Sequence, residues 1–192
     1  MSDSYIRVYD NVIETSLCKE LIEHFENNPE QQENVVFEDQ MSFKQITLQH
    51  HENWKKYCDK LQKVFFSYIE TYSKDCDLLS YKVFPEKFAF EMFRMKRYLP
   101  NNKDMFDYHV DVGDYESARR FLVFFVYLSD NEHGHTYFPN YRMSVQPVTG
   151  KLLMFPPLWT HVHTGIKPIK EPKYIIGSYL HYVWSIWKNI II

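Results

Sequence analysis

The sequence predicts a mainly β fold with N-terminal helices, an α+β chain whose strands close into a sandwich or barrel with the helices on its outside. Three observations carry this. Three-and-four apolar spacing is confined to the first 80 or so residues. From about Ser80 to the C-terminus, period-two alternation, β-branched and aromatic runs, and Pro or Gly punctuation take over. With 45% hydrophobic and 18% aromatic residues, 192 residues are enough for one domain with a sizeable core. The expected organisation is a single domain over 1–192, with 1–80 as helical support and 81–192 as the β core.

The elements follow in order. "YIRVYDNV" alternates like a short strand, and Thr15 and Ser16 are plausible N-caps for "SLCKELIEHFENN", in which Leu17, Leu21, Ile22 and Phe25 recur at helical spacing. Asn27, Asn28 and Pro29 end that helix. A polar stretch follows, "NNPEQQENVVFEDQMSFKQITLQHHEN", with no clear core pattern; it reads as a surface connection or a mobile lid. Trp54, Tyr57, Cys58, Leu61, Val64, Phe65, Tyr68, Ile69 and Tyr72 then mark a second helix, which must bury one face. Strands are expected near 87–98, 105–111, 119–129, 135–138, 143–147, 151–155, 159–165 and 173–184, separated by turn chemistry such as "LPNN", "SDNEHG" and "KPIKEP".

Composition narrows the function classes. A formal charge of −3 gives no electrostatic reason for a nucleic-acid or membrane-surface partner. Cys18, Cys58 and Cys76 are odd in number and lack zinc or redox spacing, which fits reduced thiols. The polar start "MSDSYIRVYDNV" lacks the apolar core of a secretory signal, and "RFLVFFVYLS" is too short to span a bilayer, so a soluble cytoplasmic protein is expected.

The chemistry centres on "FDYHVDVGDY". On a strand, residues two apart face the same side, so His109 and Asp111 aim an imidazole and a carboxylate at one point. A third ligand should come from a distant strand, and His161 and His163 in "FPPLWTHVHTG" are the downstream histidines at a convincing strand entrance. Two histidines and a carboxylate form a facial triad that leaves coordination positions open, the set used by non-haem Fe(II) oxygenases. An isolated His-x-Asp is more often an ordinary polar alternation. Lys173 adds to it: this cation opens the apolar run "KYIIGSYLHY", and a cation in a core strand needs an anionic partner.

These segments resemble the Fe(II)/2-oxoglutarate-dependent oxygenases, prolyl 4-hydroxylase-like branch, over nearly the whole chain. The carrying segments are "YIRVYDNVIETSLCKELIEHFENN", "FRMKRYLPNNKDMFDYHVD", "RRFLVFFVYLSDNEHGHTYFP" and "VQPVTGKLLMFPPLWTHVHTG" with "KYIIGSYLHY". The resemblance implies a double-stranded β-helix, that is, a jelly-roll, cupin-like core with supporting helices. It makes His109 and Asp111 iron ligands and Lys173 the partner of the 5-carboxylate of 2-oxoglutarate. Tyr127, seven residues after Arg120, would share that carboxylate through its phenol, and Tyr98 would line the pocket.

For the distal ligand, family spacing counted from the preceding "FP" indicates His161, whereas spacing counted back from Lys173 indicates His163. His161 is the favoured reading, with His163 the alternative, facing substrate or supporting the ligands. Where the family's turn carries an acidic residue, "EHGHT" has His135, expected at the rim with His133. His181, His24, His50 and His51 have no supporting constellation.

The resemblance further implies Fe(II), 2-oxoglutarate and O2 as metal and cosubstrates, with ascorbate in support. The reaction would hydroxylate a C–H bond, with a prolyl residue as one option, and release succinate and CO2. The prime substrate is a peptide, a protein or a small molecule. "LPNNKD" and "VGDYESARR" flank the metal motif and are placed for contacts with that substrate. The rival readings are a cupin-like metal enzyme without 2-oxoglutarate and a catalytically silent binding module of the same fold.

Overall fold

The computed structural model describes residues 4–38 and 40–183, so position 184 of the expected last strand lies outside the described residues. Two helices pack on one side of a curled antiparallel sheet. Helix α1 (Thr15–Glu26) buries Cys18, Leu21 and Phe25 on one face. Its N-cap position is Glu14, with no side-chain cap, so the expected capping by Thr15 or Ser16 is corrected: Thr15 is already the first helical residue. Helix α2 (Lys55–Asp75) buries Tyr57, Leu61, Phe65, Ile69 and Tyr72. Phe65 meets Phe93 at 5.7 Å and Phe124 at 4.7 Å between ring centres, where helix joins sheet. Burying each such side chain contributes about 2 kcal/mol.

The twelve strands are β1 (Arg7–Tyr9), β2 (Glu33–Phe37), β3 (Met41–Thr47), β4 (Phe88–Phe90), β5 (Arg94–Tyr98), β6 (Met105–His109), β7 (Arg120–Tyr127), β8 (Thr136–Phe138), β9 (Met143–Val145), β10 (Leu152–Phe155), β11 (His163–Gly165) and β12 (Lys173–Tyr182). Their order is β1-β10-β7-β12-β5-β3-β6-β11-β8-β9, with β2 on β3 and β4 on β12. Five strands separate β7 from β8 in that order, yet the Tyr127 hydroxyl donates to Thr136 Oγ1 at 2.6 Å. The sheet must therefore roll over until its inner face closes on itself, which is the expected jelly-roll.

Period-two alternation sorts the residues between the two faces. On β7, Leu122, Phe124 and Val126 face the helices, while Val123, Phe125 and Tyr127 face inward. On β12, Tyr174, Ile176 and Leu180 join the helix-facing core, leaving Lys173, Ile175 and Tyr179 inside. Gly177 is inward too: a Cβ there would strike the Phe124 carbonyl and Phe125 Cβ, so the two strands approach closely only with glycine.

Three further expectations change. The polar stretch after α1 is not a loop: β2 and β3 form a hairpin, and β3 pairs with both β5 and β6, tying the two halves of the roll together. Phe43 and Ile46 anchor β3 with 4% and 0% exposure, but polar neighbours dilute their alternation in the sequence. The strand expected over 87–98 is broken into β4 and β5. The strand expected over 159–165 starts only at His163, because Trp159–His161 is a 3-10 turn. No helix among the described residues is long and apolar enough to cross a membrane.

Candidate functional site

A pocket inside the roll is walled by β5, β6, β7, β11 and β12, and His109, Asp111, His163 and Lys173 all line it. His109 ends β6 and faces His163 across the β6–β11 pairing. Asp111 lies just past β6, where its N–H and that of Val112 donate to the Pro157 carbonyl at 3.1 and 3.2 Å. Arg120 Nη1 also reaches the Asp111 carbonyl at 2.9 Å and holds this turn.

Both histidines are oriented by the same local contact. His109 Nδ1 lies 2.6 Å from the Asp107 carbonyl, and His163 Nδ1 lies 3.0 Å from the His161 carbonyl. A carbonyl only accepts, so each Nδ1 carries a hydrogen, and in the neutral ring this leaves the lone pair on Nε2. Those Nε2 atoms lie 3.8 and 3.6 Å from the two Asp111 oxygens, and the three ligand atoms fall within 4.8 Å of one another. The His109 ring stacks on Phe106 at 3.5 Å, which fixes its plane.

Asp111 Oδ1 accepts from the Tyr179 hydroxyl at 2.7 Å, whereas Oδ2 is buried without a hydrogen-bond partner among the described residues. A buried carboxylate with one unpartnered oxygen, clustered with two imidazole nitrogens, is what a divalent cation would satisfy, so the residues fit a non-haem iron. Burial opposes charge on Asp111, but His163, His109, Tyr179 and Lys96 together hold its carboxyl below the ordinary range. Burial, then His163, pushes His109 down to about 4, so its imidazole is neutral and ready to ligate at neutral pH.

His161, the favoured distal ligand, lies apart from this cluster, and its alternative His163 stands in it. His161 closes the 3-10 turn, so the strand rule that would put it beside His163 does not apply. Its Nε2 lies 2.6 Å from the Ser4 carbonyl and its Nδ1 2.8 Å from the Thr160 hydroxyl. Nε2 must donate and Nδ1 accept, so neither ring nitrogen is free for a metal.

Lys173 is 2% exposed, donates to the Gly134 carbonyl at 2.9 Å and lies 5.0 Å over the Tyr98 ring. It has no carboxylate partner among the described residues. Burial, with Lys96 adding to it, pushes its ammonium down to about 7. Gly134 makes room for it: a Cβ there would come within 2.8 Å of Lys173 Cδ. Tyr98 lines the pocket; the Tyr127 hydroxyl is engaged by Thr136, and Thr136 is the one of that pair that lines the pocket.

Tyr179, Thr136 and Lys96 are lining residues that the sequence reading passed over. Their signal was strand parity: Lys96 is two residues before Tyr98, and Tyr179 six after Lys173. His133 is exposed beside Glu132, and His24 packs against Trp54 and Tyr57, away from the pocket.

No protein-family model matches the chain, and no curated protein does. Solved structures do match in fold. A viral collagen prolyl hydroxylase from Paramecium bursaria Chlorella virus-1, solved with 2OG, superposes with a TM-score of 0.71 at 20% identity, over 94% of this chain and 97% of its own. A Trichoplax adhaerens prolyl hydroxylase in complex with a hypoxia-inducible-factor peptide fragment gives 0.71 at 16% identity, covering 93% of this chain and 84% of its own. A non-haem alpha-ketoglutarate-dependent epimerase of nogalamycin biosynthesis gives 0.67 at 10% identity, over 93% and 78%. The jelly-roll expectation is thus met by proteins that share the fold and differ in reaction.

Proposed function

We propose that this chain is an Fe(II)- and 2-oxoglutarate-dependent dioxygenase of the prolyl 4-hydroxylase-like kind, hydroxylating a C–H bond and releasing succinate and CO2. The observation that carries the reading is the Asp111 carboxylate clustered with two imidazole Nε2 atoms, its Oδ2 unpartnered, in the same pocket as a buried Lys173 that lacks a carboxylate. A metal and a dicarboxylate supply what those groups lack.

His109, Asp111 and His163 would hold the iron. Bound iron supplies the oxygen-activating electron transfer that side chains cannot perform. Lys173 pairs with the 5-carboxylate of 2-oxoglutarate, Tyr98 packs beneath that pair, and Tyr127 orients the Thr136 hydroxyl toward the same end. Tyr179 fixes the Asp111 carboxylate, leaving one oxygen for the metal. Val123, Phe125 and Ile175 keep water from the pocket. The prolyl hydroxylases of the same fold, one of them holding a peptide, favour a peptide or protein as prime substrate.

The test is incubation with Fe(II), ascorbate and labelled 2-oxoglutarate, following succinate release with and without proline-containing peptides. Succinate formation by the wild type and its loss in Asp111→Ala are expected. An iron-loaded protein that neither binds nor turns over 2-oxoglutarate overturns the reading.

A further inference from the structure

Lys96 is a second cation inside the pocket. It sits on β5 with Tyr98, in register with Ile175 on β12, one inward position along from the Tyr98–Lys173 pairing. Its ammonium lies 4.7 Å over the Phe43 ring and 5.3 Å over the Phe106 ring, and Phe106 stacks on His109. Lys96 therefore lines the metal pocket from β5, one inward position removed from the Lys173 end. It makes no hydrogen bond or ion pair among the described residues; besides these ring contacts, the Asp111 carboxylate is the acid whose charge acts on it.

Arg94, two residues earlier on β5, lines with Lys96 a second chamber that shares Val123, Phe125, Ile175 and Tyr179 with the metal pocket. Its closest acid is Glu91 at 3.6 Å, and Glu91 is already gripped by the Arg120 fork at 2.8 and 3.0 Å. The chamber thus holds two cations with no free acid among the described residues.

Counting charge shows what is missing. In the filled site, the ferrous ion and Lys173 are balanced by Asp111 and the two carboxylates of 2-oxoglutarate. Lys96 then leaves a positive charge over, and an uncompensated charge in an enclosed pocket is costly. The second chamber, which shares lining residues with the metal pocket, is where a further anion would sit. Resting on the function proposed above, we infer that Lys96, assisted by Arg94, binds a carboxylate of the prime substrate. The substrate class is then an acid: an aspartyl or glutamyl residue, a C-terminal residue or a free amino or keto acid, held by its carboxylate next to the C–H bond to be oxidised. Lys96 sets specificity, and the apolar walls alone do not.

The test uses protein loaded with Mn(II) and saturated with 2-oxoglutarate under nitrogen, so that binding is read without turnover. Two matched probe pairs are titrated by calorimetry: N-acetyl-L-aspartate amide against N-acetyl-L-asparagine amide, and N-acetyl-L-proline against N-acetyl-L-prolinamide. The wild type should bind at least one acid about tenfold or more tightly than its neutral partner. Lys96→Met, which keeps the stem packed on Phe43 and Phe106, should erase that preference, and Lys96→Arg should keep it. Equal binding of acid and amide in both pairs, or a preference that survives Lys96→Met, overturns this inference alone. The affinity of Lys96→Met for 2-oxoglutarate itself should stay within about threefold of wild type. A larger loss assigns Lys96 to the cosubstrate and overturns the inference as well. Failure of the Mn(II)-loaded wild type to bind 2-oxoglutarate overturns the function proposed above.

Discussion

His161 and His163 are two residues apart, yet their rings serve different structures: His163 Nε2 lies 3.6 Å from Asp111 Oδ2, and His161 Nε2 lies 2.6 Å from the Ser4 carbonyl. The 3-10 turn that ends at His161, with strand geometry starting only at His163, breaks the parity that would have put both rings on one side. His163→Ala should therefore abolish Fe(II) or Mn(II) binding while the protein stays folded. His161→Ala should retain metal and lose about 1–3 kcal/mol of stability, because it strands buried polar groups. Metal titration and urea unfolding of the two variants check this, and metal loss in His161→Ala alone would reverse the assignment.

Tyr179 acts on the metal through Asp111. Tyr179→Phe removes the 2.7 Å hydrogen bond that orients the carboxylate without changing the ring. Metal affinity should fall about 10–100-fold, the usual effect of losing a partner behind a ligand. Calorimetric titration with Mn(II) reads it, and an unchanged affinity would show that Asp111 is oriented by its backbone contacts alone.

Lys173 makes binding depend on pH in a defined direction. Its amine is pushed by burial from its usual 10.5 down to about 7. Between those values the unfolded chain holds a proton that the ligand-free folded protein does not. The group therefore disfavours folding increasingly as pH falls through that window, and the penalty is complete below about pH 7. A carboxylate in the pocket restores the charge, so 2-oxoglutarate binding at about pH 8 should take up protons. Calorimetry in two buffers of different ionisation enthalpy measures this. Lys173→Met should remove most of the uptake and weaken 2-oxoglutarate by about 1.5–3 kcal/mol.

Gly177 tests the close approach of β7 and β12. In Gly177→Ala the new Cβ meets the Phe124 carbonyl and Phe125 Cβ, and backbone cannot move aside as a flexible side chain would. A loss of about 1–3 kcal/mol is expected in urea unfolding. A neutral substitution would mean that the strands can separate there.

Local pattern determined a good deal by itself. The spacing of Leu61, Phe65 and Ile69 makes α2 amphipathic wherever it packs, and the alternation in "RFLVFFVY" and "KYIIGSYLHY" makes two-faced strands. His109-x-Asp111 and the buried cation Lys173 were readable because each breaks an apolar strand in a way that needs compensation. The hairpin of β2 and β3 was not readable, since its alternation is diluted by polar residues and only pairing with β5 and β6 stabilises it.

The choice between His161 and His163 was likewise undetermined, because it depends on whether three residues turn or extend, and the N-terminal Ser4 carbonyl settles one of the rings. Nor does sequence order bring Lys96 beside Lys173, or Tyr179 onto Asp111. Those contacts exist only because the sheet rolls shut and turns inner-face residues of separate strands toward one cavity. Covalent spacing sets which face a side chain takes, and closure of the sheet sets what it meets there.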